Sequence, residues 1–387
     1  MDFRFSDEEQ WALDTATALV PQLAANAARY DREMTAPEED IAAMRQAGLL
    51  ALPIPKPYGG RGCGWFDGAN PLPYLLAIKT LALGNPVTAH FFQVHCHAMM
   101  AFFPSATPEQ MERLAPQFLQ GAMLTFCASE PGRAVRGQYN MGCAAKRVDG
   151  GYVVNGLKNY CTLATVARYH GISVGIEGEE GPASYLRVII PTDHPGAEID
   201  NEWWQPVGMR GCVSPIVRFH DVFVPDADVL GAPGDYLTYR WQSRFHLGFT
   251  SNFVGSADAI IRFAADYLRQ KGTAGHPYTQ LRLGEAKIML DAAEALWLRA
   301  IGHWQAQEIT RAEVISNEAK HMAMETVKYV LDKCGSVCGS TVLLQQFPFE
   351  RYLRDMAFHT LHDSLDRASQ ITGQALLGVD YDPTVKH

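Results

Sequence analysis

Near the C-terminus the chain runs from Pro348 to Asp363 through a stretch of helix-forming composition in which His359, His362 and Asp363 stand at i, i+3 and i+4. On a helix these three would project from one face. Two imidazoles beside a carboxylate are suited to moving protons near neutral pH. A solvated helix end is the plain alternative for such a cluster. A metal site is not expected, because no third strong ligand follows at a recognisable spacing.

The elements that would position this cluster come in three blocks. Ser6 to Glu9 has the form of a capping box opening a helix that carries Trp11, Leu13, Leu19 and Leu23. A second helix is expected around Ile41 to Leu50, ended by the Pro-rich turn from Pro53 to Gly60. Residues 71 to 118 are helical again, with a break at Pro104 to Pro108. Short β-rich runs then begin at Tyr152, Tyr169, Tyr185 and Ile216, with a hairpin turn at Gly150 and Gly151. After Gly231 to Gly234 the helical period returns, over 240 to 270, 278 to 308, 311 to 335 and 347 to 376. The expected fold class is α+β: an N-terminal helical domain (1–122), a central β-barrel or sandwich domain (123–232) and a C-terminal four-helix bundle (233–387).

Composition narrows the function. With 33 basic and 42 acidic residues the formal charge is −9, which argues against a nucleic-acid surface. No apolar run approaches bilayer-spanning length, and the first residues lack the basic and apolar regions of a signal peptide, so a cytoplasmic protein is expected. The 8 cysteines are scattered with no CxxC pair, in keeping with reduced thiols.

Several strings, in order, resemble the acyl-CoA dehydrogenase superfamily. They are Pro57 to Gly60 ("YGG"), Phe126 to Gly132 ("TEPG"), Asn155 to Thr162 ("NGxKxWIT"), Gly208 to Gly211 with Val217 to Pro225 ("GxRG…FxDVxVP"), and Glu350 to Asp355 ("ERxxRD"). The resemblance implies a flavin, FAD or FMN, bound between the β domain and the C-terminal helices of a homo-oligomer, a tetramer or dimer. It places Phe126 and Ser129 at the pyrimidine side of the flavin, Tyr160 over the ring system and Thr162 facing N5. A flat apolar ring needs aromatic cover, and its polar edge needs hydrogen-bonding partners. It also assigns Ser336, Gly339 and Ser340, at the position of a Gly-rich turn, to cofactor binding.

Three departures bear on the reaction. The usual base, a Glu eight residues beyond the Asp of "ERxxRD", is replaced by the shorter Asp363. The family's Arg-x-x-Phe-Gly grip on the FAD pyrophosphate is missing from Gln270 to Pro277, while Arg133 and Arg136 could hold a phosphate. Finally, His359 to Asp363 and the segment from Thr88 to His95 resemble the superfamily's flavin-dependent oxygenase branch, which includes dibenzothiophene monooxygenase and two-component monooxygenases. In that segment His95 is taken as a catalytic candidate ahead of His90 and His97. The expected activity is therefore oxygenation of a small organic substrate, aromatic or a thioester, by reduced flavin and O2 through flavin hydroperoxide chemistry. Asp363, His362, His359 and His95 would manage protons, and a separate flavin reductase is a candidate partner. The alternatives are an acyl-CoA dehydrogenase or oxidase with Asp363 as base, and a catalytically silent relative that binds flavin or acyl thioester.

Overall fold

The computed structural model describes residues 5–66, 70–132, 141–362 and 365–382. Helix α1 (Asp7–Glu33) opens on the expected capping box: Ser6 N–H donates to Glu9 at 2.7 Å and Glu9 N–H to Ser6 Oγ at 3.4 Å. Helices α2 (Glu38–Gln46), α3 (Leu72–Gly84), α4 (Pro86–Phe102) and α5 (Pro108–Leu119) complete the N-terminal helical domain. All 17 residues of α4 are buried, so this helix is the axis of that domain. Its start is set by Pro86 at the first helical position and by Asn85, whose side chain accepts from Val87 N–H at 3.1 Å.

The middle domain is one seven-stranded sheet in the order β5-β6-β2-β1-β3-β4-β7. Its strands are β1 (Ala144–Val148), β2 (Gly151–Lys158), β3 (Tyr169–Ile176), β4 (Tyr185–Pro191), β5 (Ala197–Asp200), β6 (Ile216–Pro225) and β7 (Val229–Leu230). The β1–β2 hairpin turns where the glycines demanded it, with Val148 opposite Gly151 and Gly150 at φ 76°. Among the described strands the β1–β3 ladder is parallel and the others antiparallel, and isolated parallel bridges join Leu124 to Tyr169 and Cys127 to Ile172. Strands β1, β5 and β7 were not among the expected runs; all three are short, and β1 exposes Lys146 and Arg147 at successive positions.

The C-terminal domain begins with the single turn α6 (Asp235–Thr238) and continues through α7 (Trp241–Gln270), α8 (Pro277–Gln305) and α9 (Ile309–Cys338), which pack on one another. The fourth expected helix is two: α10 (Pro348–His359) and α11 (Leu365–Leu377). The i→i+4 ladder gives way to tight i→i+3 bonds from Leu361 N–H to Phe358 and from His362 N–H to His359, both 3.1 Å. His359 and His362 therefore do not share a helix face; the first ends α10 and the second sits in the following turn.

Candidate active site

A cavity of about 430 Å³ opens where the sheet meets α4, α7 and α10. From the sheet side come Phe126, Ser129, Asn159, Tyr160, Thr162 and Ser214. From the helices come His90, Val94 and His97, then Gln242, Phe245, His246 and Phe249, then Phe358 and His359, with His362 at the rim. The α4 residues recur at i, i+4 and i+7, and the α7 residues at i, i+3, i+4 and i+7, so each set is one helical stripe turned toward the cavity.

That periodicity corrects one assignment. His95 lies five positions beyond His90, roughly 140° round the helix. It is fully buried on the opposite side of α4, where its Nε2 is 3.1 Å from the carbonyl of Leu50. It does not line the cavity. His90 and His97, ranked behind it, do, and His246 was not singled out at all. The signal for all three was present as helical spacing, of His90 and His97 from Val94 and of His246 from Phe249.

Of the four buried cavity histidines, His90, His97 and His359 are shifted toward the neutral form. Burial lowers His90 to about 4, against a weaker opposing effect of Gln93 beside it. Burial, followed by repulsion from His90, His246 and Lys320, puts His97 well below its ordinary value. Burial, then His90 and Lys320, does the same to His359. The rings are close: His90 and His359 meet edge to face at 5.0 Å, His97 stacks on Phe245 at 4.0 Å and His362 on Phe249 at 4.1 Å. Both ring nitrogens of His359, Nδ1 of His90 and Nε2 of His97 are buried with no hydrogen-bond partner among the described residues. Unpaired buried polar atoms cost about 1–3 kcal/mol each, so the site holds hydrogen-bonding capacity that a ligand can satisfy.

The sheet side is internally bonded. Thr162 Oγ1 and Ser214 Oγ are 2.7 Å apart, and Asn159 N–H donates to the carbonyl of Ser129 at 3.1 Å. Beneath them Lys158 donates to Glu130 at 2.8 Å, a pair only 0% and 6% exposed. Glu130 also accepts from Gly142 and Cys143 N–H. Burial works against its charge, yet Lys158 and these amides together hold its carboxyl below the usual range. Tyr160, half exposed at φ 49°, meets the edges of Trp203 and Trp204 at 5.3 and 6.4 Å.

The "ERxxRD" helix acts on the cavity at one remove. Asp355, one turn before His359, accepts from Met209 N–H at 2.6 Å, and Met209 lines the cavity with φ 53°. Gly208 lies against the Arg354 carbonyl with no room for a Cβ. Arg354 in turn is bidentate to Asp31 of α1 at 2.9 and 2.7 Å and reaches Glu350 on its own helix. A non-glycine residue in the left-handed region costs on the order of 1 kcal/mol or more, and this network holds it there.

Of the other assigned residues, Ser336, Gly339 and Ser340 sit at the C-terminal end of α9 and none lines the cavity. Ser336 Oγ donates to the Lys333 carbonyl at 2.8 Å, and Gly339 caps the helix at φ 83°. Asp363, Arg133 and Arg136 lie outside the described residues. Among those described, no group of three His, Cys, Asp or Glu is arranged to hold a metal ion, and no helix is long and apolar enough to cross a membrane. All 8 cysteines are free and buried.

Family models for the N-terminal, middle and C-terminal domains of acyl-CoA dehydrogenase match residues 6–122, 125–222 and 247–367. The chain belongs to the acyl-CoA dehydrogenase family. Within that family it is 26% identical over 400 residues to the dibenzothiophene monooxygenase of Rhodococcus qingshengii, spanning 95% of this chain and 93% of the relative. It is also 26% identical over 369 residues to benzylmalonyl-CoA dehydrogenase of Aromatoleum aromaticum, spanning 92% and 94%. Among solved structures, FMN-bound TdsC from Paenibacillus sp. A11-2 superposes with a TM-score of 0.87 at 26% identity, covering 96% of this chain and 98% of that one. Butyryl-CoA dehydrogenase from Megasphaera elsdenii shares the acyl-CoA dehydrogenase fold at a TM-score of 0.86 and 22% identity, covering 97% and 100%.

Proposed function

We propose that this member of the acyl-CoA dehydrogenase family is a flavin-dependent monooxygenase that oxygenates a small organic substrate with O2. The observation that carries the reading is the helical wall: His90, His97 and His359, buried and neutral, among Phe245, Phe249 and Phe358. Abstraction of a proton α to a thioester needs a base within hydrogen-bonding reach, whereas oxygen chemistry needs a dry pocket with neutral groups that can donate to a developing oxyanion.

The cavity suits a flavin. Its walls supply aromatic cover from Tyr160 and Phe126, hydroxyls from Ser129 and Thr162, and the Asn159 Oδ1, buried without a partner among the described residues. Reduced flavin, when bound, supplies the electrons that activate O2. The rest falls to the chain. Thr162, fixed by Ser214, presents a hydroxyl from the sheet side. A neutral His359 has one N–H to donate and one nitrogen to accept, so it can hold or return a proton without a charged intermediate of its own. His90 sits against it to share that duty. Phe245 and Phe249 keep water from the space between them. The proposal includes a separate reductase as source of reduced flavin and a homo-oligomeric, cytoplasmic enzyme.

The test supplies chemically reduced FMN, 18O2 and indole or benzothiophene as probes, with mass spectrometry of the products. Incorporation of one 18O atom is expected. Anaerobic bleaching of bound oxidised flavin by acyl-CoA thioesters, with no 18O in any product, would overturn the reading in favour of dehydrogenation.

A further inference from the structure

Behind the helical wall is a second group of polar atoms that the proposed chemistry does not use. It centres on Gly248 of α7, where that helix crosses α3 and α4. A methyl group at Gly248 would collide with Tyr74 Oη, lie 2.7 Å from His97 Nε2 and 3.2 Å from Gln93 Cγ. Tyr74 and Gln93 are 0% exposed and His97 is 4% exposed. Tyr74 Oη and His97 Nε2 are wholly buried with no hydrogen-bond partner among the described residues, and the buried Gln93 amide has none besides the contact with His90 that opposes burial there. Two such atoms beside one glycine, with the Gln93 side chain next to them, are unusual, because buried polar groups nearly always find protein or ordered water as a partner.

The donor and acceptor inventory fits water. The phenol offers one O–H, the Gln93 amide offers two N–H and one oxygen, and a neutral imidazole offers either a proton or a lone pair at Nε2. An internal water needs two to four polar partners, which this inventory provides. The missing Cβ of Gly248 lets Tyr74 Oη and His97 Nε2 both come close to one point of the α7 backbone.

We propose that Tyr74, Gln93 and His97 Nε2 enclose an internal water site behind the cavity, and that Tyr74 and Gln93 are positioning residues that orient His97. His97 is the link, because it lines the cavity, stacks on Phe245 at 4.0 Å and T-stacks on Tyr74 at 6.0 Å. A bridging water at Nε2 settles which nitrogen carries the proton and so what Nδ1 offers, as partners behind metal-bound imidazoles do. The consequence for turnover rests on the oxygenase reading; the water site itself does not.

The experiment uses the full-length, flavin-free protein. A crystal structure that resolves waters should show one within about 3.2 Å of both Tyr74 Oη and His97 Nε2. Side-chain 15N spectra should show His97 in a single neutral tautomer in the native chain. In Tyr74→Phe the spectrum should change while the thermal midpoint falls only slightly, by the worth of one hydrogen bond to water. Gly248→Ala should expel the water; if that variant does not fold, Tyr74→Phe decides alone. Native protein with no water at this position, or a Tyr74→Phe variant with an unchanged His97 spectrum, overturns the proposal. In the flavin-loaded enzyme Tyr74→Phe is expected to lower turnover about tenfold, the lower end of the range for partners that orient an imidazole. A water found in a protein that incorporates no 18O would leave the site standing and remove only the function.

Discussion

The two walls of the cavity treat their polar atoms in opposite ways. On the sheet side Thr162 pairs with Ser214, the Asn159 N–H with the Ser129 carbonyl and Lys158 with Glu130, which leaves Asn159 Oδ1 as the one cavity-lining side-chain atom of that wall buried without a partner among the described residues. On the helical side His359 has neither nitrogen paired, and His90 and His97 each leave one buried without a partner among the described residues. A wall that satisfies itself is a scaffold, whose groups are fixed before anything binds. A wall with unspent hydrogen-bonding capacity carries a stability cost that is recovered only when a ligand arrives. The chemistry is therefore expected on the helices, and the positioning on the sheet.

Substitutions on the two sides should separate these roles. Glu130→Ala leaves Lys158 buried and unpaired, and should destabilise the fold by about 3–5 kcal/mol in denaturant titrations; a loss under 1 kcal/mol would mean that the sheet wall is not anchored by this pair. His359→Ala should do the reverse, costing about 10²-fold or more in 18O incorporation while leaving the urea midpoint near its native value. Equal turnover in the variant would move the chemistry off the helical wall.

Stability against pH sharpens the comparison. His90 and His170 fall to about 4 in the folded chain, from 6.5 unfolded, because burial penalises the imidazolium. The unfolded state then binds more protons, so their contribution is complete above pH 6.5 and lost as pH falls toward 4. Asp355 runs the other way: burial raises it from 3.8 to about 7, so its contribution is present below 3.8 and lost as pH rises through 7. Asp355→Asn should flatten the loss between pH 4 and 7 and leave the acid limb intact. An unchanged profile would show that the carboxyl titrates normally. The smallest effect is expected at Tyr160, which is half exposed. Tyr160→Ala should weaken FMN binding by about 1 kcal/mol, the worth of an aromatic contact, read by fluorescence quenching.

Much of this was legible in the residues. The capping box at Ser6, the hairpin at Gly150 and the long apolar stripes of α7, α8 and α9 depend on local rules, and each element stands where those rules put it. Phe126, Ser129, Tyr160 and Thr162 line the cavity from segments between the strands, so it was the family strings that carry them, and not strand alternation, that made them legible. The histidines were harder. His95 has the same composition around it as His97, and only the packing of α4 against Leu50 on one side and α7 on the other decides which ring meets the cavity.

The cluster at His359 and His362 shows the same division. Its residue types, and their place after Glu350 to Asp355, follow from the sequence alone, as do the family's element order and the imidazole chemistry on offer. That α10 stops at His359, that His359 is buried against His90 while His362 lies exposed in a turn, and that both rings are served by Phe249, were decided by tertiary structure. Periodicity tells which residues share a face, but desolvation and the neighbours that impose it belong to whichever distant helices close over that face.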